Sequence, residues 1–345
     1  MNERFQTMLA WLETLPQLAH CECSTPVAAS SDASFRRYFR ILVTSDNAST
    51  SYIIMDAPVQ FEDCRPFMAV SAQLSQMGLQ VPQVLAHDLI QGFLLLTDLG
   101  DITYLSVLKH ASESQADALY QDALQALVQL QMRGGKVAGA LPTYDGALLH
   151  REMDLFGDWL LHTHLEYSMS GLERTQWLAI KNFLENAARS QPQTYVHRDF
   201  HSRNLMVTEQ NNPGILDFQD AVHGAFTYDA VSLLRDCYIA WPAEQVVEWQ
   251  RGYFLNLCAN NVFFKDEWAG FQKSMDLMGI QRHLKAAGIF ARLSHRDGKD
   301  GYLNDIPQTL DYIVKVGAQY SEMRDLVTLL EKRVLTHTPF QLPSE

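Results

Sequence analysis

His197-Arg198-Asp199-Phe200-His201-Ser202-Arg203-Asn204, followed by Ile215-Leu216-Asp217-Phe218, is the stretch that decides how this chain is read. Short apolar runs alternate with turn signals around it: Thr194-Tyr195-Val196, the polar loop, Leu205-Met206-Val207, Asn212-Pro213-Gly214, then Ile215-Leu216. The alternation predicts three short strands joined by a polar loop and a tight turn. Asp199 falls in the loop, Asn204 at the entrance to the second strand and Asp217 at the exit of the third. The Asn-Pro-Gly turn folds the last two strands together, so Asn204 and Asp217 can approach one ion.

These residue types suit one chemistry. Phosphoryl transfer is mostly positioning and charge neutralisation, with magnesium on the nucleotide oxygens and a carboxylate orienting the attacking hydroxyl. Magnesium takes hard oxygen ligands and keeps several waters, so one Asn and one Asp suffice. Asp199 is the candidate base, and Asn204 and Asp217 are the candidate metal ligands. The plain alternative is a polar turn region in which two aspartates merely cap loops. His295-Arg296-Asp297 shows how cheap the triplet is by itself, because no Asn stands five residues beyond its Asp and no strand–turn–strand–Asp follows.

The pattern H-R-D-x-x-x-x-N with a downstream D-F resembles the catalytic and metal-binding loops of the protein-kinase-like fold. His201, two residues beyond Asp199, brings it nearer to the aminoglycoside phosphotransferase branch. Within that branch the chain is similar to the bacterial cell-wall-recycling sugar kinases, which phosphorylate the anomeric hydroxyl of N-acetylmuramate and N-acetylglucosamine. The finer likeness lies in Ser31–Arg40, Met55-Asp56-Ala57-Pro58, Asp63–Phe67, Phe93–Asp101, Leu234–Tyr238, and the run from His295 to Pro307. The resemblance implies an α+β, bilobal, protein-kinase-like fold. A small β-rich lobe at 1–97 would bind nucleotide, and a larger, mainly helical lobe at 98–345 would carry the catalytic loop and the substrate site.

It also implies ATP and Mg2+ as cofactors and a small sugar as acceptor. The turn Ser31-Asp32-Ala33-Ser34 would cover the phosphates, while the backbone of Thr97, Asp98 and Leu99 would meet the adenine edge. His197 and Asp229 would support the catalytic loop. No G-x-x-x-x-G-K-[ST] occurs, which disfavours a P-loop fold. One departure stands out: the third strand should carry a lysine for the phosphates, and Met55 is there instead. An arginine of the preceding strand (Arg36, Arg37 or Arg40) is the candidate replacement, with Arg37 taken as the nucleotide contact and Glu62 as the nearby acid. Met55 also motivates a rival reading, a pseudokinase-like binding module. Another small-molecule or aminoglycoside phosphotransferase is the third.

Acceptor residues are less sharply marked. Basic residues gather at Arg282, Lys285, Arg292, Arg296 and Lys299, with His283 and His295 among them. In so acidic a chain this reversal suits an anion, either the lactyl carboxylate of a muramate or the nucleotide phosphates, or forms a solvated helix face. Arg292, His295 and Lys299 are taken as substrate candidates, together with Glu152 on an upstream helix.

Composition agrees and excludes. The 345 residues are 47% hydrophobic, enough for a sizeable core, and carry a formal charge of −13. That charge argues against a broad nucleic-acid surface. No apolar run approaches the roughly 20 residues that span a bilayer, and the N-terminus lacks a signal-peptide layout. Five cysteines, an odd number, point to a reducing cytoplasm. Oligomeric state leaves no mark.

Strand-like runs are expected near 24–29, 36–43, 51–55, 83–87 and 92–97, after a first helix carrying the Phe5, Met8, Leu9, Leu12 stripe. Helices are expected near 64–77, 102–109, 114–132, 147–165, 172–189, 227–239, 243–258, 267–292 and 316–336.

Overall fold

A computed structural model describes residues 3–31, 35–45, 48–337 and 340. The chain divides into two compact units. One holds the residues up to Tyr104 together with Asn204–Asp220, and the other holds Leu105–Arg203 with the residues from Ala221 onward. The architecture is α+β, as expected.

The first unit begins with α1 (Glu3–Glu13), whose buried Met8, Trp11 and Leu12 form one stripe. There follow β1 (Glu22–Cys23), β2 (Val27–Ser31), β3 (Arg37–Ser45), β4 (Ala48–Asp56), α2 (Cys64–Gln76), β5 (Val84–Asp88) and β6 (Phe93–Thr97). The strands form one antiparallel sheet in the order β1-β3-β4-β6-β5, with β2 also on β3. The α1 stripe packs on Ile41, Val43, Ile54, Phe93 and Leu95. Full burial of each such side chain contributes roughly 1.5–3 kcal/mol. Successive residues of a strand point to opposite faces. Ile54 and Asp56 therefore look toward α1, where Arg4 bonds Asp56, and the buried Met55 looks away. Asp63 starts α2 by accepting the Arg65 N–H.

In the second unit α3 (Tyr104–Leu108) leads to α4 (Glu113–Gly134), capped reciprocally by Ser112 and Gln115. Next, α5 (Gly146–Leu155) runs directly into a π-helical stretch, Phe156–His164. The same reciprocal cap, Ser170 with Glu173, starts α6 (Gly171–Arg189). Hydrogen bonds from Ser170 push the Glu173 carboxyl down to about 2. Then comes β7 (Gln193–Val196).

The hairpin of β8 (Leu205–Met206) and β9 (Gly214–Ile215) belongs to the first unit, although the sequence division at 97/98 put it with the helices. Hydrogen bonds explain its place. Ile215 N–H donates to the Gln80 carbonyl, Val207 N–H to the Ile102 carbonyl, and Asn212 Nδ2 to the Tyr104 hydroxyl.

After the hairpin, β10 (Val222–Ala225) pairs antiparallel with β7. It is followed by α7 (Thr227–Leu234), α8 (Ala243–Ala259), α9 (Trp268–Asp297), α10 (Ile306–Gly317) and α11 (Arg324–Leu329). The 30-residue α9 packs against α5, α6, α7 and α10. Gly288 permits the close crossing with α5, because a Cβ there would stand 2.3 Å from the Leu155 carbonyl carbon.

Three elements depart from the sequence reading. The helix expected at 227–239 stops at Leu234, where Asp236 instead accepts N–H bonds from Ser202 and Tyr238. The helix expected at 316–336 begins only at Arg324, as α11 after a short 3-10 turn, and α10, with Pro307 tolerated in its first turn, lies almost wholly ahead of that range. The strand β10 was not expected. Among the described residues no helix is long and apolar enough to cross a membrane, and all five cysteines are free.

Candidate active site

Two groups of functional side chains emerge, one in each unit. In the second unit, the loop after β7 turns through Arg198 at φ 79°, a left-handed conformation that a Cβ disfavours. Asp229, in the first turn of α7, holds that turn. Its carboxylate accepts from His197 N–H at 2.7 Å and from Arg198 N–H at 2.9 Å. Burial pushes Asp229 up to about 7, against the pull of those two donors. His197 Nδ1 accepts the Asp199 N–H at 3.2 Å, and the buried Phe200 anchors the loop to the core. Asp236, also buried, accepts from both the N–H and the hydroxyl of Ser202. Two buried aspartates thus shape a loop that carries a third aspartate.

That third residue is Asp199. Burial by itself raises its pKa, but Lys285, His201, Arg198 and His197 outweigh this and hold it below the ordinary carboxylate value. It is therefore ionised at neutral pH. Lys285 comes from α9, donating to the Tyr228 hydroxyl at 2.9 Å and standing 3.2 Å from Glu152. Glu152 also receives Arg198 and the Tyr144 hydroxyl. Despite burial, Lys285 and Arg198 keep Glu152 below its usual range.

A cavity of about 80 Å³ opens beside this network, lined by Asp199, His201, Tyr228, Tyr238, Arg282 and Lys285 among others. Burial lowers the His201 pKa and favours neutral imidazole, whose Nδ1 has no partner among the described residues. Arg282 is buried, yet it donates only to Ser232 Oγ and Cys237 Sγ and makes no ion pair among the described residues. A guanidinium so placed has donors left for an anion.

In the first unit, Asn204 Nδ2 lies 3.4 Å from Asp217 Oδ2 across the β8–β9 hairpin. The Leu216 N–H donates to the Asn204 carbonyl at 2.9 Å, tying the two ends together. Asp217 has φ 60° and leaves β9 with its side chain 36% exposed, and Phe218 behind it packs on Phe67 at 4.9 Å. A carboxylate and a carboxamide, half open to solvent, are hard donors of the kind Mg2+ takes while retaining waters. The residues present therefore fit that ion.

The other expected residues fall as follows. Asp32, Ala33 and Ser34 lie outside the described residues, as does the side chain of Ser31, which ends β2. Arg37 pairs with Asp56 on the α1 face, away from Asp217. Thr97 ends β6, its hydroxyl accepting from Gln83 N–H at 2.8 Å. The Asp98 carboxylate is taken by Arg40 at 2.5 and 3.0 Å, and Leu99 lies against Gly214. Glu152 sits in the cation network rather than on the cavity wall. Arg292 is half-buried, His295 is exposed and bonded to His164 at 2.9 Å, and Lys299 follows the end of α9; none of the three lines the cavity. Helical phase explains the split of the basic cluster, since Arg282, Lys285, Ala286, Ile289 and Phe290 share one face of α9. Sequence reasoning quoted Arg282 and Lys285 without choosing them, and passed over Tyr228 and Tyr238 as wall residues.

Comparison with known proteins gives the family and the fold. The profile of the family described as "Phosphotransferase enzyme family" matches residues 26–269. A protein of Pseudomonas aeruginosa named N-acetylmuramate/N-acetylglucosamine kinase is 44% identical, over 95% of this chain and 96% of its own length. A protein of the same name from Pseudomonas putida is 41% identical, with the same coverage of each chain. Among solved structures, an ADP-bound aminoglycoside phosphotransferase superposes with TM-score 0.56 at 14% identity, covering 92% of this chain and 99% of its own. A choline kinase of Streptococcus pneumoniae gives 0.58 at 11%, covering 91% and 100%. At such identities these two structures speak for the fold alone, which is kinase-like.

Proposed function

The chain belongs to the phosphotransferase enzyme family, and from that premise we propose that it moves the terminal phosphoryl group of ATP to the anomeric hydroxyl of N-acetylmuramate or N-acetylglucosamine. The observation that carries the reading is the half-buried Asp199 on the wall of a small cavity, beside Lys285, Arg282 and His201.

In this reading the acceptor hydroxyl donates its hydrogen bond to Asp199. As that oxygen bonds to phosphorus, the bond between phosphorus and the leaving ADP oxygen breaks, and the hydroxyl proton passes to Asp199. Such assistance is typically worth about 10² to 10⁴ in rate. An anomeric hydroxyl is more acidic than an ordinary alcohol because the ring oxygen withdraws charge, which eases the base's task. Asp229 and Asp236 fix the loop so that the carboxylate need not reorganise, and Lys285 keeps it ionised. Asn204 and Asp217 would hold Mg2+, which when bound neutralises nucleotide phosphate oxygens.

The cavity also speaks to the acceptor. N-acetylmuramate differs from N-acetylglucosamine by a lactyl ether bearing a carboxylate. Arg282, buried, cationic and without an ion pair among the described residues, is the group suited to receive it. A polycationic aminoglycoside would meet two buried cations there instead. A cytoplasmic setting, where ATP is available, fits this reading.

The test is a side-by-side assay with Mg-ATP on N-acetylmuramate, N-acetylglucosamine and kanamycin. Phosphate is expected on the two sugars. Transfer to kanamycin alone would overturn the acceptor assignment, and no transfer to any would overturn the reaction.

A further inference from the structure

We propose that Arg36 replaces the missing third-strand lysine and is the cation that grips the nucleotide's phosphates. The inference rests on the phosphotransferase reading above and adds to it the residue that this chain uses where its relatives in the wider fold use another. In protein kinases the lysine of the third strand contacts the phosphates and is paired with a glutamate of the following helix. Here that position is Met55, buried and apolar, so the charge must come from elsewhere.

Strand geometry sorts the three arginines. Side chains alternate across a sheet with a period of two, so parity decides which face each one reaches. Arg37 stands opposite Asp56 in the β3–β4 register and points to the α1 face. There it joins Arg4 on the two oxygens of the buried Asp56, and its charge is spent on that side of the sheet. Arg40 has the parity of Met55, but it lies farther along β3, where Asp98 holds it through both oxygens and the Gly100 carbonyl takes a third bond. Arg36 shares its parity with Tyr38, and Tyr38 is the register partner of Met55. It therefore emerges on the Met55 face, one residue before β3 begins.

Its neighbours there are telling. Arg36 Nε is 3.8 Å from Glu62, which stands just ahead of the α2 cap, and Arg36 Nη2 is 3.9 Å from Asp217. Those two acids correspond in role to the pair that a third-strand lysine would join: a carboxylate at the entrance of the following helix and the carboxylate that would hold the metal. Both contacts are longer than the 2.5 and 3.0 Å of Arg40 with Asp98. Arg36 thus stands between the two acids. A guanidinium is planar, always charged and suited to bidentate contact with phosphate. Moving the cation from β4 to the start of β3 also explains how Met55 can be apolar without disabling the site.

The test measures ADP and adenosine affinity by calorimetry, with Mg2+ present, on the full-length wild type, Arg36→Ala and Arg36→Lys. ADP carries the phosphates and adenosine does not, so their difference isolates the contact from general damage. Arg36→Ala is expected to weaken ADP by roughly 10- to 100-fold, the range for a lost hydrogen bond to a charged group. Adenosine affinity should stay within about twofold. Arg36→Lys keeps the charge and loses the fork, so its ADP affinity should fall between the other two; it also serves if the alanine variant fails to fold. Equal losses for ADP and adenosine, or unchanged ADP affinity in both variants, would overturn the assignment of Arg36. If those results came with normal wild-type turnover of the sugars, the kinase reading would stand and only Arg36 would fall. A wild type that binds no ADP would sink both.

Discussion

The two groups of functional side chains are built on opposite principles. Around Asp199 the second unit is buried and already charge-balanced: Lys285 and Arg198 serve Glu152 and Asp199 together, and each carboxylate is held ionised. Around Asp217 the first unit is half open: Gln219 Nε2 donates to its carboxylate at 2.8 Å, while Asn204 lies 3.4 Å and Arg36 3.9 Å away. A base must have its charge and direction set before the acceptor arrives, because reorganisation at the moment of reaction costs rate. Ligands to a hydrated ion and a phosphate chain need only be within reach, since the cargo supplies the missing charge. On the proposed roles, the contrast between a finished site and an unfinished one follows from what each half would do.

The widest gap should appear in stability. Glu152→Ala takes a carboxylate partner from the buried Lys285 and the half-buried Arg198 and is expected to cost about 3–5 kcal/mol. Asp217→Asn, at a half-exposed position, should cost under about 0.5 kcal/mol. Chemical denaturation of both variants checks this, and similar losses would erase the distinction drawn between the two regions.

A smaller effect is expected at Arg282. Arg282→Met should lower kcat/KM for N-acetylmuramate at least tenfold more than for N-acetylglucosamine, which is about 1.4 kcal/mol. Equal losses on both sugars would make Arg282 a packing residue and remove it from acceptor choice.

The subtlest effect concerns pH. Asp199 is held below its ordinary value with Lys285 as the largest favourable influence, so kcat/KM should be level through neutrality and fall only in acid. Lys285→Met removes a cation that favours the ionised form. The Asp199 pKa then rises, and the acid limb of the profile moves to higher pH. A limb that stays put, or moves the other way, would show that Lys285 does not set the charge of the base.

How much of this was legible beforehand differs between the regions too. The finished site is largely written in contiguous sequence, with Asp199, His197 and the supporting Asp229 following one pattern, and the unfinished one is marked by Asn204 and Asp217 flanking a hairpin at Asn212-Pro213-Gly214. What stayed hidden depended on tertiary placement. The strand β10 is short, and Val-His-Gly-Ala carries little strand signal, so only its pairing with β7 reveals it. Arg282 and Lys285 read as part of one basic cluster until α9 divides them from His295 by rotation about its axis and ends before Lys299. Arg36, Arg37 and Arg40 are equivalent as letters. Only the register with β4 sends Arg37 toward Asp56 and Arg36 toward Glu62 and Asp217.

The division of labour between Asp199 and Asp217 is open to one paired measurement, in which Mg-ADP affinity and sugar phosphorylation are recorded on Asp199→Asn and Asp217→Asn. The first variant should bind Mg-ADP within about twofold of wild type and lose at least about 10² in kcat, while the second loses Mg-ADP affinity together with turnover. Near-normal turnover by Asp199→Asn, or undiminished Mg-ADP binding by Asp217→Asn, would contradict it.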